Sequence, residues 1–84
     1  MAPNEILQAL RTTPFEPIRI CMTDGKTFDL YHPEMCMVGH RSVTIGISAQ
    51  PTDELYDRTI KLDTLHIIRL EPLAAGSPKN GPQS

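Results

Sequence analysis

Apolar and polar positions alternate with two different periods along the chain. In the first segment Ile6, Leu7 and Leu10 recur at helical spacing. Asn4 stands where a side-chain oxygen can accept from the open N–H groups of a first turn, and Glu5 suits the positive end of that turn. Thr13-Pro14 closes the segment, because proline pushes its predecessor out of helical geometry. The pattern predicts a helix over about residues 4–12. So short a helix is unstable alone and must lie on other structure, with Ile6, Leu7 and Leu10 facing down.

Beyond the Phe15-Glu16-Pro17 corner the period falls to two. Ile18, Ile20 and Met22 alternate with Arg19, Cys21 and Thr23, the mark of a half-buried strand. Asp24-Gly25 predicts a two-residue hairpin turn of the mirror-image type, with a positive φ at Gly25. Thr27 to Tyr31 is the return strand, and His32-Pro33 ends it. Pro33 to Gly39 reads as one helical turn or an irregular corner, with Met35, Met37 and Val38 plugging the mouth of a barrel. Alternation resumes from Arg41 to Ile47, with Val43, Ile45 and Ile47 inside and Gly46 marking a weak point or a bulge. Ser48 to Leu55 is a polar loop. Tyr56 to Leu62 is the fourth strand, with Ile60 and Leu62 inside, and Leu65 to Glu71 is the fifth. Along the fifth, Ile68 and Leu70 share one face with His66, whereas Leu65 and Ile67 take the other. The expected core is Ile18, Ile20, Phe28, Leu30, Val43, Ile45, Ile60, Leu62, Ile68 and Leu70.

The fold class is therefore mainly β: a short N-terminal helix, then a strongly bent five-stranded antiparallel sheet or small barrel, which removes exposed strand edges. Residues 1–72 form one domain. Residues 73–84, rich in proline and glycine, read as a disordered tail.

Composition narrows the function. With 84 residues the chain holds one domain at most. Eight basic against ten acidic residues give a net charge of −2, which disfavours nonspecific nucleic-acid binding. Two cysteines make no disulfide framework, and the first residues lack a signal-peptide pattern, so a cytoplasmic setting with reduced thiols is expected. No apolar run approaches the length that spans a bilayer. Paired carboxylates in a recognisable frame, a phosphate loop, a nucleophile elbow and H-E-x-x-H are all missing, so neither an enzyme nor a cofactor is expected.

Three sets of residues carry what chemistry there is. His32, Cys36 and His40, with Cys21, are the donor types of a tetrahedral zinc site, without the usual C-x-x-C spacing. The bland alternative is two small buried thiols and a histidine at a strand end. Arg19, Arg41, Lys61, His66 and Arg69 are candidate nucleic-acid contacts. Interleaved acids such as Asp24, Asp29, Asp63 and Glu71 favour an ordinary surface of mixed sign. His66 lies beside no recognisable nucleophile and reads as structural. Leu65 and Ile67 leave a second apolar face on the last strand, to be covered by the helix or by another subunit. The expected partners are copies of the chain itself and a protein.

Thr13-Pro14-Phe15-Glu16-Pro17-Ile18-Arg19-Ile20, then Asp24-Gly25, His32-Pro33-Glu34 and Leu65-His66-Ile67-Ile68-Arg69-Leu70-Glu71 resemble a group of small bacterial proteins without an established activity. The likeness runs from about residue 10 to 72 and implies no function. In architecture, helix-then-five-strands with Asp-Gly between the first two is similar to the Sm-like barrel of bacterial Hfq, and an SH3-like barrel fits almost as well. The Sm likeness implies a ring that binds RNA, with strand four of one subunit paired to strand five of the next. The Hfq tyrosine-lysine-histidine run is replaced here by Asp63-Thr64-Leu65-His66.

Overall fold

The computed structural model describes residues 1–50 and 55–73. Part of the expected polar loop, and the expected tail from residue 74, lie outside the described residues. The helix, α1, runs Pro3–Arg11. It starts one residue before Asn4, and Ala2 occupies the capping position without a side-chain bond. Proline at the first helical position explains the shift: its φ is already helical and it has no N–H to satisfy. Ile6 is fully buried beneath α1, as its face predicts. Thr12 leaves in extended geometry, with its Oγ1 donating to the Gln8 carbonyl at 3.0 Å. The following Thr13–Pro14 peptide is cis.

Among the described residues six strands follow, not five: β1 (Ile18–Met22), β2 (Thr27–Leu30), β3 (Cys36–Val38), β4 (Ser42–Ile47), β5 (Arg58–Asp63) and β6 (Ile67–Pro72). They form two three-stranded antiparallel sheets, ordered β2-β1-β6 and β3-β4-β5, and not a closed barrel. A 3-10 turn, Pro33–Met35, separates β2 from β3. Proline cannot extend the β2 ladder, so the chain turns and re-enters pairing in the second sheet. A second 3-10 turn, Thr64–His66, separates β5 from β6. Both passages between the sheets therefore run through a 3-10 turn.

One core cluster holds Ile6, Ile18, Ile20, Met22, Leu30, Met35, Val43, Ile45, Leu62 and Ile67. Phe28, Ile60 and Leu70 pack around it and are only partly buried. Met35 is a core residue delivered by the first 3-10 turn, and Met37, by contrast, is exposed on β3. Cys21, expected on the outer face of β1, is nevertheless buried. It stands opposite Arg69 of β6.

The β1–β2 connection is longer than a two-residue turn. Met22 N–H donates to the Lys26 carbonyl at 2.9 Å, and Gly25 N–H donates to the Met22 carbonyl at 3.0 Å. Thr23, Asp24 and Gly25 thus form a three-residue loop, a turn closed by a glycine at φ +89°. This is the second common hairpin solution, in which the left-handed residue restores the strand twist. Asp24 Oδ1 accepts from Lys26 N–H at 2.9 Å and steadies the loop. Gly25→Val is expected to destabilise the fold by at least about 1–2 kcal/mol, the cost of left-handed geometry for a residue with a Cβ. Lys26→Ala is expected to stay within about 0.5 kcal/mol. Thermal melts of the two variants check this; equal effects would contradict the positive φ at position 25.

The last strand departs most from simple alternation. Cys21 pairs with Arg69 but Met22 pairs with Ile67, so Ile68 is an extra residue in the ladder. This bulge flips the phase of the strand. Ile67 turns inward and is 3% exposed, whereas Ile68 is pushed out and is 50% exposed. The expectation that Ile68 is core and Ile67 belongs to an outer interface is corrected on both counts. The opposing apolar pairs in the sequence are two phases of one strand, joined by the bulge.

Gly46 answers a close approach and not a bulge. A Cβ at this position would meet the Tyr56 ring, with Cγ 2.7 Å away. Tyr56 lies flat over β4 because glycine leaves room there.

Candidate interaction surface

The second 3-10 turn forms a ridge held at both ends. Asp63, the last residue of β5, accepts from Leu65 N–H through Oδ1 at 2.9 Å. That cap bends the chain out of the strand and lifts the Leu65 side chain to the crest, where it is 81% exposed. Thr64 points the other way and is buried. Its N–H and its Oγ1 both donate to the Arg41 carbonyl, at 3.0 and 3.1 Å. The His66 carbonyl accepts from Thr23 N–H at 2.8 Å. The turn therefore ties the β3–β4 loop of one sheet to the β1–β2 loop of the other.

Shallow recesses flank this ridge. One, of about 600 Å³, is lined by Pro3, His40, Arg41, Asp63, Thr64 and Leu65 among others. The second, of about 320 Å³, is lined by Thr23, Asp24, Lys61, Asp63 and His66 among others. His66 Nδ1 lies 3.4 Å from Thr23 Oγ1. Polar groups of both signs line both recesses.

The candidate nucleic-acid residues fall into two groups. Arg41, Lys61 and His66 gather around the ridge. Arg19 and Arg69 stand on the outer face of the first sheet, each engaged by a carboxylate: Arg19 Nε with Asp29 at 2.8 Å and Arg69 Nε with Glu71 at 2.6 Å. These are the two ion pairs among the described residues. The hydrogen bond from Arg69 holds the Glu71 carboxyl below its ordinary range. The Asp29 carboxylate likewise raises the Arg19 guanidinium.

The candidate zinc donors are dispersed. Cys21 is in the first sheet, and Cys36 stands opposite Ile45 in the second. His32 precedes the first 3-10 turn, and His40 sits in the β3–β4 loop. Among the described residues no three His, Cys, Asp or Glu side chains stand close enough to share an ion.

Burial pushes the Cys36 thiol up to about 11 from an ordinary 9.0. Cys21 is raised too, chiefly by burial, with Glu71 adding and Arg69 opposing. The folded chain thus holds the Cys36 proton more tightly than the unfolded chain. The stability this contributes is complete below pH 9 and is lost as the pH climbs towards 11. Denaturant midpoints across pH 8–11 are expected to fall more steeply for the wild-type chain than for Cys36→Ala. Parallel slopes would show that the thiol is not shielded.

Two features of this surface escaped the sequence. Thr64 as the buried tie was hidden, although Asp63-Thr64 is a capping pair ahead of a short turn. The exposure of Ile68 was hidden by the bulge, whose signal was an apolar run on both faces of one strand. No family model, curated protein or solved structure matches the chain.

Proposed function

We propose that the chain is a non-catalytic interaction module that self-associates through the open edge of β6 and the adjoining ridge, and that binds a protein partner. The observation that carries this reading is the apolar exposure at that edge. Leu65, in the second 3-10 turn, and Ile68, the second residue of β6, are both large and both exposed. β6 is the outermost strand of its sheet among the described residues; its first carbonyl, that of Ile67, accepts from the Met1 ammonium at 3.2 Å, and no strand pairs with the rest of that side. An exposed edge with apolar side chains invites another strand. The expected interface residue Ile67 is replaced in this role by Ile68. Of the described helices, none is long and apolar enough to cross a membrane. The two thiols lie in different sheets, which fits a reducing, cytoplasmic setting.

Sedimentation at micromolar concentration tests the reading: a species heavier than the 9.4 kDa chain is expected. A single species at that mass would refute self-association.

A second reading, an Sm-like ring that binds RNA, is favoured by the gathering of Arg41, Lys61 and His66 around one ridge. Against it stand the net charge of −2 and the carboxylates already held by Arg19 and Arg69. Titration with single-stranded RNA at two salt concentrations separates the readings, because phosphate contact weakens steeply with salt.

A further inference from the structure

Backbone hydrogen bonds fix which groups of β6 face outward. Met22 N–H donates to Lys26, so the even-numbered residues of β1 turn their backbone groups towards β2. Leu73 N–H donates to the Pro17 carbonyl at 2.9 Å, so the odd-numbered residues turn theirs towards β6. Continuing the register, Arg69, Glu71 and Leu73 spend their backbone groups on β1. The N–H and C=O of Leu70 and the C=O of Pro72 therefore point to the open edge. The side chains follow the opposite logic. Leu70 packs against the core, whereas Arg69 and Glu71 stand on the outer face beside one another.

We propose that β6 pairs antiparallel with β6 of a second copy of this chain, about a two-fold axis through Leu70. The proposal rests on the self-association reading and adds its symmetry and register. Leu70 of each copy gives its N–H to, and accepts with its C=O from, Leu70 of the other. On the outer face this register sets Arg69 of each copy opposite Glu71 of the other. Each guanidinium then lies between two carboxylates, one in its own chain and one across the axis, in a square of alternating charge. The neighbouring registers fail on the same residues. A shift of two residues one way puts Arg69 opposite Arg69, and the other way puts Glu71 opposite Glu71; like charges directly opposite are destabilising. A shift of one residue places outward groups against backbone already used by β1. Charge and hydrogen-bond parity thus select one pairing. It is isologous and closes at two chains, joining two β2-β1-β6 sheets into one six-stranded sheet.

Charge reversal tests this, since both side chains stand on the outer face and neither belongs to the core cluster. Arg69→Glu gives a chain with two acids at the edge, and Glu71→Arg gives one with two bases. Each alone is expected to raise the dimer dissociation constant at least about tenfold. Mixed in equal amounts, the two are expected to form a heterodimer, because the two acids of one chain then face the two bases of the other across the axis. The double reversal in one chain is expected to dimerise like the wild type. Sedimentation of each sample, with a circular-dichroism melt to verify folding, reads the outcome. A wild-type chain found only as a monomer overturns both this pairing and self-association. A wild-type assembly that persists unchanged in Arg69→Glu, or two single variants that stay apart when mixed, overturns the pairing and leaves self-association standing.

Discussion

Ile67→Glu is expected to abolish the cooperative melt of the chain. The side chain is 3% exposed and sits among Met22 and the other apolar members of the core. The cluster offers a carboxylate no cationic side chain, and the Met1 ammonium beside it is already held by the carbonyls of Thr64 and Ile67, at 2.8 and 3.2 Å. Burying such a group without a partner costs several kcal/mol, whether it stays charged or takes up a proton. A domain of this size holds only about 3–5 kcal/mol in reserve. The informative control lies two residues away. Leu65→Glu alters the exposed crest of the ridge and is expected to stay within about 0.5 kcal/mol of wild-type stability. Far-ultraviolet circular dichroism during heating reads both. Similar melts for the two variants would mean that the bulge at Ile68 is not formed and that Ile67 faces outward.

Ile45→Ala is expected to cost on the order of 2–5 kcal/mol, the range for opening a cavity by truncating a buried aliphatic side chain. Ile45 is fully buried and is paired on both sides, with Cys36 of β3 and Ile60 of β5. A side chain at the centre of a three-stranded sheet has little freedom to collapse into the space that truncation leaves. The expected result in urea is a midpoint near zero denaturant or a loss of the folded baseline. A midpoint unchanged from wild type would remove Ile45 from the core.

Much of this core was legible from alternation. Ile18, Ile20, Leu30, Val43, Ile45 and Leu62 lie on strands with regular pleats, so a period of two reports their faces directly. The face of α1 was legible for the same reason, with Ile6 beneath it. Positions failed where a local choice overrode the period. Pro3 took the helix start from Asn4. A third loop residue followed from glycine taking the position that ends a turn, which Asp-Gly alone does not distinguish from a two-residue loop. β3 has three residues, too few to display a period. The bulge in β6 depends on what Cys21 and Met22 offer across the ladder, and that information is far away in the chain. For the surface, single residues were legible and their company was not. Arg19 and Arg69 read as candidate phosphate contacts until the register placed Asp29 and Glu71 beside them. Cys21, His32, Cys36 and His40 are close in number, but two sheets divide them.

The pairing of β1 with β6 sets an order of events during synthesis. The second sheet is built from β3, β4 and β5, which are successive along the chain, so each strand meets its neighbour soon after emerging from the ribosome. The first sheet cannot be finished that way. Its central strand emerges early and waits for the last strand of the domain. Until then β1 has only β2 beside it, and an isolated hairpin is marginal in water. At about 5–20 residues per second the wait is on the order of seconds. Throughout it, the side of β1 destined for β6 is an unfilled ladder on a nascent chain, and neighbouring chains on the same message carry the same unfilled ladder.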